Sequence, residues 1–289
     1  MRYGSGVTLV VAAAVAWSLT GLAIRQVGTA GPWEILFWRS LGAVPVLSFV
    51  IFLRRGSLIR PLREVGLASV LGGLCLVFAF GGAIYALQAT TIANAMFLFA
   101  VSPFLAAILA WLVLGERVGQ GTWACMAVAI FGIFLMVREG LAAGAGPGNV
   151  AAFVSALGFA CFTLILRRGK MSDMLPATLL GGVFATVFAG VVIAGTDRTL
   201  LIPPRDIAIC LGMGALLLAT GLTLYTIGSK ALPAAELTLL SNIEVLLGPF
   251  WVWAFMGEAV GQGTLLGGLI LLAAVVANGL MGIRPAAPA

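Results

Sequence analysis

The sequence predicts an all-α integral membrane protein, with ten transmembrane helices arranged as two inverted five-helix repeats. Three observations carry this expectation. Of the 289 residues, 62% are hydrophobic and only 9% charged, and mean hydropathy is +1.15. An ordinary soluble domain is nearer half apolar and a quarter charged, so lipid is the solvent for most of this chain. The chain also breaks into ten apolar runs, and it spells one short loop twice. "GERVGQGTW" at 115–123 returns as "GEAVGQGTL" at 257–265, with an offset of 257 − 115 = 142 residues.

A helix needs about 20 apolar residues to cross the hydrocarbon core. Breaks at charged, Gly and Pro residues place spans near 6–24, 32–53, 66–87, 91–114 and 120–138, then 149–167, 175–195, 206–228, 234–256 and 262–283. Pro32 and Pro176 fall at span starts, where a helix tolerates proline. The first run is too long for the core of a signal peptide, and its part in the repeat argues the same way. "REGLAAGAGPGN" (138–149) joins the two groups of five. The expected domains are therefore residues 1–142 and 143–289.

The 142-residue offset holds away from the loop: Arg25 maps onto Arg167, Trp17 onto Phe159 and Trp111 onto Trp253. Five is odd, so the second half enters the membrane from the opposite side. Inverted pairs of this kind are typical of secondary transporters, with substrate near the midplane at the repeat interface. Rocking one half against the other would then alternate access.

Basic residues set the orientation. Eleven of the 16 Lys and Arg lie on the N-terminal side (Arg2, Arg54, Arg55, Arg60, Arg63, Arg117, Arg167, Arg168, Lys170, Lys230, Arg284). Four lie opposite (Arg25, Arg138, Arg198, Arg205), and Arg39 is inside span 2. The positive-inside rule puts both termini in the cytoplasm of a cell whose inner membrane holds the chain. The net charge of +6 reflects this loop pattern and implies no nucleic acid. Cys75, Cys125, Cys161 and Cys210 all lie in apolar runs without a CxxC, which reads as inert buried thiols.

Within the spans, polar residues are few and each needs a reason. Glu244 lies about ten residues into span 9, in "TLLSNIEVLLGPF". An acidic side chain so deep costs on the order of 3 kcal/mol and is turned inward. Thr238, Ser241 and Glu244 form a polar strip at steps of three, beside Asn242. Pro249 is expected to kink this helix. Glu244 reads either as a substrate-cavity group or as a paired or protonated residue joining helices. Arg39 could pair with Glu34 near the membrane face or snorkel outward along its stem; it reads as a structural residue in folding or gating, ahead of the alternative of substrate contact. Glu116 and Glu258 read as loop partners for Arg117 or backbone amides. Trp33, Trp38, Trp123 and Trp251 or Trp253 fit interface belts, whereas Trp17 falls mid-span beside Ser18 and Thr20. The glycine pairs 72–73, 81–82, 181–182 and 267–268 allow close helix packing. No phosphate-binding GxxxxGK[ST] is present and there is no histidine. Nothing implies a cofactor, a metal or an enzyme.

The 5+5 arrangement, the "GER" and "GEA" ends of spans 4 and 9 and the Pro-containing helices before them resemble the drug/metabolite transporter superfamily, EamA-type, over nearly the whole chain. The compact form and mid-membrane aromatics are most similar to amino-acid exporters of the YddG type. The family often has an acidic residue just before a proline in span 9; here Val245 stands in the proline's place, while the repeat partners Ser102 and Pro103 keep it. The resemblance implies a cavity lined by spans 1, 3, 4, 6, 8 and 9. The candidates are then Trp17, Tyr85, Phe99, Ser102, Phe159, Thr163, Tyr225, Ser241 and Glu244.

Phosphorylated substrates would need cationic cavity groups, and this chain has only two lysines, Lys170 in a loop and Lys230 at a span end, and one deep arginine, Arg39. Cation exporters of the superfamily use an acidic residue in span 1, which is absent here. The expected cargo is an aromatic or other large apolar amino acid, exported by alternating access. The alternative is export of cationic or toxic organic compounds. The protein is expected to act as a monomer in the bilayer, with a dimer open.

Overall fold

The computed structural model describes residues 3–115, 118–142, 144–168, 174–232 and 240–282, with backbone alone at 59–65, 140–142, 166–167 and 282. The described residues form helices and turns, with no strand. In order, they are α1 (Tyr3–Gln26), α2 (Pro32–Arg55), α3 (Ile59–Ala89), α4 (Ile92–Phe99), α5 (Ser102–Leu114), α6 (Gln120–Ala142), α7 (Gly146–Arg168) and α8 (Leu175–Ala194). There follow α9 (Pro204–Gly212), a π-helical segment (Met213–Ala219), α10 (Thr220–Gly228), α11 (Ile243–Met256) and α12 (Gln262–Gly282). Nine spans among the described residues are long and apolar enough to cross a membrane, and Ile243–Met256 is a shorter apolar helix. Large apolar side chains cover the outside: Phe134 is 58% exposed, Trp253 57% and Phe255 70%. Lipid is what they meet.

Each predicted span has its helix, but three are less regular than expected. Span 4 is interrupted at Ala100–Val101, where the amides of both residues reach back only three positions, to Phe97 and Leu98. Pro103 lacks an N–H and cannot continue the ladder. Span 9 is interrupted at Asn242, and 242 − 142 = 100, so the two breaks correspond. The helix runs on through Pro249; the expected irregularity lies seven residues earlier. Ser241 and Asn242, whose short polar side chains compete with backbone hydrogen bonds, mark the place instead. Span 8 contains the π-helical segment. There the Thr220 hydroxyl donates to the Ala215 carbonyl five residues back, at 3.0 Å.

The repeated loop closes its two helices in the same way. Gly115 and Gly257 are C-caps of α5 and α11, both at φ 69°, ψ 16°. This left-handed conformation suits glycine and ends a helix. Glu116, Arg117 and Thr238, together with Arg2, Lys170 and Arg284 of the charge count, lie outside the described residues.

Two seams bring backbones very close. A Cβ on Gly132 of α6 would stand 2.5 Å from the Gly267 carbonyl of α12, and one on Gly82 of α3 would stand 2.7 Å from the Ala151 carbonyl of α7. Glycine is what permits these contacts.

Candidate functional site

Trp17 of α1 and Tyr225 of α10 meet with ring centroids 5.5 Å apart and planes at 41°. The indole lies on Gly221 of α10: a Cβ there would be 2.7 Å from Trp17 Cδ1 and 2.9 Å from Cε2. Trp17 Nε1 is buried with no acceptor among the described residues. The Tyr225 hydroxyl and the Ser241 side chain are hydrogen-bond partners, and Glu244 is near enough to Tyr225 for charge to act between them. Spans 1, 8 and 9 thus converge where span 9 is broken. Asn242 Nδ2, at that break, is buried without a partner among the described residues. No cation forms an ion pair with Glu244 among the described residues.

The other candidates are placed differently. Phe99 and Ser102 flank the break in span 4, both half-buried. They are the counterparts, at the 142-residue offset, of Ser241 and Glu244. Thr163 donates to the Phe159 carbonyl at 2.9 Å, which is a bond within α7. Phe159 is 47% exposed and rests against Phe162, and Tyr85 is 36% exposed. An apolar cavity of about 210 Å³ lies between α11 and α12, beside the exposed Trp253, and none of the nine candidates lines it.

Polar contacts between helices gather at the α1 C-terminal end. Arg25 Nε donates to Glu258 at 2.7 Å, and its terminal nitrogens donate to the Leu87 and Thr90 carbonyls at 2.8 and 2.9 Å. Glu258 also accepts from the Ile92 amide at 2.8 Å. One arginine therefore ties α1 to the α3–α4 junction and to the turn before α12. Nearby, Asp206 accepts from the Gly28 and Thr29 amides at 3.2 and 3.1 Å, and Gln88 donates to the Ala30 carbonyl at 2.9 Å. Glu139 accepts from the Thr264 amide at 2.5 Å. This end is latched.

Several sequence expectations change. Glu258 is the loop partner anticipated, serving Arg25 and a backbone amide. Glu34 pairs with Arg198 at 3.1 Å, not with Arg39. Arg39 does not snorkel: it is 7% exposed, with its guanidinium carbon 5.3 Å from the centre of the Phe80 ring. Both outcomes follow from α2 facing its own bundle at residue 39 instead of lipid. Trp251 is no belt residue, because its Nε1 donates to Ser18 at 3.0 Å. Cys125 and Cys210 are buried, but Cys75 and Cys161 are only half-buried and hydrogen-bond each other across α3 and α7. Trp251, Gly221 and the Arg25 latch escaped the sequence reading. A basic residue on the face poor in basic residues was the available clue for Arg25.

The EamA-like transporter family model matches residues 4–138 and again 146–280. The chain belongs to the EamA-like transporter family. It is a multi-pass membrane transporter of the drug/metabolite superfamily and not an enzyme. The pseudopaline exporter CntI of Pseudomonas aeruginosa strain UCBPP-PA14 is 22% identical over 277 residues, covering 94% of this chain and 95% of that one. CntI of strain PAO1 matches to the same extent. A crystal structure of another protein aligns with a TM-score of 0.71 at 17% identity, covering 98% of this chain and 100% of that one. That likeness shows a shared fold.

Proposed function

We propose that this EamA-like transporter exports aromatic or other large apolar amino acids by alternating access, through two inverted repeats with both termini in the cytoplasm. The observation that carries the reading is the meeting of Trp17, Tyr225, Ser241 and Glu244 at the broken span 9. An aromatic pair offers a face for an apolar side chain. A half-buried carboxylate without a cationic partner among the described residues offers a place for an ammonium group. Broken helices at mid-membrane are where transporters bind cargo. The 11-to-4 excess of basic residues on the N-terminal side makes the latched end the external one. On this reading the latch belongs to a state closed to the outside. Export also agrees with the activity named for the CntI relatives.

Flux of an amino-acid panel from proteoliposomes, with and without a pH gradient, tests the proposal. Phenylalanine, tyrosine, tryptophan and leucine should move saturably and faster than glycine or aspartate. Uptake that is flat across the panel refutes it. Glu244, with no ion pair among the described residues, also favours a second reading, export of organic cations. That reading predicts quaternary-amine flux abolished by Glu244→Gln, with amino acids ignored.

A further inference from the structure

Arg39 is a full charge about 10 Å along α2 from its first residue, by the rise of a helix. It is 7% exposed, and its Nε is buried with no acceptor among the described residues. Its surroundings are the Phe80 ring of α3 and the Cys210 thiol of α9, and neither supplies a full negative charge. The nearest carboxylate in sequence, Glu34, is held by Arg198. A guanidinium enclosed this way is normally matched by an anion, because an unpaired buried charge is among the costliest groups a fold can hold.

Its position relates it to the aromatic pair. The Arg39 backbone packs on Gly214 of the π-helical segment, where a Cβ would stand 2.9 Å from the Arg39 carbonyl carbon and 2.8 Å from the Ala43 amide. Seven residues further along the same span, Gly221 underlies Trp17, roughly 10 Å away at helical rise. Asp206, near the start of that span, lies beside Gly28 and Thr29 at the latched end. Arg39 therefore stands between the Trp17–Tyr225 pair and the latch, facing spans 3 and 8. π-Helical insertions of this kind are frequent at functional sites.

We propose that Arg39 is the carboxylate-binding residue of the transport pathway, receiving the cargo's carboxylate as it passes the aromatic pair toward the latched end. A single guanidinium beside an aromatic ring suits a monoanion presenting two oxygens. A phosphate dianion would require further cations. The proposal rests on the amino-acid reading only in the choice of cargo.

The test uses the purified full chain and matched ligands: tryptophan and its carboxamide, and indole-3-propionate and its carboxamide. Thermal stabilisation of the wild type should need roughly tenfold less carboxylate than amide, the scale of one charged hydrogen bond. Arg39→Gln should make each pair equal, and Arg39→Lys should keep part of the preference. A wild type that does not distinguish the pairs overturns the proposal, and so does an Arg39→Gln variant that still does. If Arg39→Gln is not monodisperse, Arg39→Lys decides: undiminished preference overturns the proposal, since lysine keeps the charge but loses the planar fork. Indole-3-propionate has no amino group, so the two readings fail separately. Its preference persisting without amino-acid flux defeats amino-acid export alone. Amino-acid flux with unaltered discrimination in Arg39→Gln defeats the role of Arg39 alone.

Discussion

Gly221→Ala is a direct probe of the aromatic pair. The added Cβ would meet Trp17 Cδ1 at 2.7 Å and Cε2 at 2.9 Å. Carbon atoms rest at about 3.5–4.0 Å, so the indole must retreat by roughly 1 Å from its place beside Tyr225. Overpacking of this order costs about 1–3 kcal/mol, and loss of the ring contact adds about 0.5–1.5 kcal/mol. The helical preference for alanine over glycine returns about 0.5–1 kcal/mol. The net expectation is destabilisation by about 2 kcal/mol; displacement of the ring from its place should separately weaken affinity for aromatic cargo by roughly tenfold, about 1.4 kcal/mol. Melting of the purified protein and saturable flux in proteoliposomes read the two effects. Gly212→Ala is the control, because no heavy atom lies within 4 Å of its Cβ position; it should be neutral or slightly stabilising. Trp17→Ala removes the atoms that clash, so the double variant should recover stability relative to additivity. Gly221→Ala with unchanged melting and flux would refute the argument, as would strictly additive effects in the double variant.

Two further outcomes follow from the latch and the caps. Arg25→Gln removes the Glu258 pair and two carbonyl contacts, so a cysteine placed at Ser241 in a cysteine-free background should be labelled from outside several-fold faster. An unchanged labelling rate would mean that Arg25 does not hold that end closed. Gly115→Ala and Gly257→Ala should destabilise equally, each by about 1–2 kcal/mol. Their dihedrals match and neither Cβ position has a neighbour within 4 Å. Clearly unequal losses in thermal unfolding would contradict this.

How far the sequence could be read depended on whether a feature is local. Apolar run length located the helices, and the duplicated letters around Gly115 and Gly257 anticipated two corners with the same dihedrals. Trp17, Tyr225, Ser241 and Glu244 could be nominated because polar and aromatic groups at mid-span need explaining wherever they occur. Which partner each group finds is a tertiary matter. Glu34 has Arg39 five residues away in sequence, yet Arg198 takes it across the fold. The break at Asn242 was assigned to Pro249 because proline is the loudest local signal, and a Ser-Asn pair within an apolar run is a quiet one. The π-helical segment packs on α2 at Gly214, a contact that no window of span 8 contains.

The glycine seams bear on what moves. α3 and α7 come from different copies of the duplicated unit, as do α6 and α12, and each pair is joined where side chains are absent. Backbones that close offer no slack for sliding apart. Each seam joins one copy to the other, so an excised copy would lose half of each seam. Cutting the chain between α6 and α7 should yield fragments that function only when they are made together.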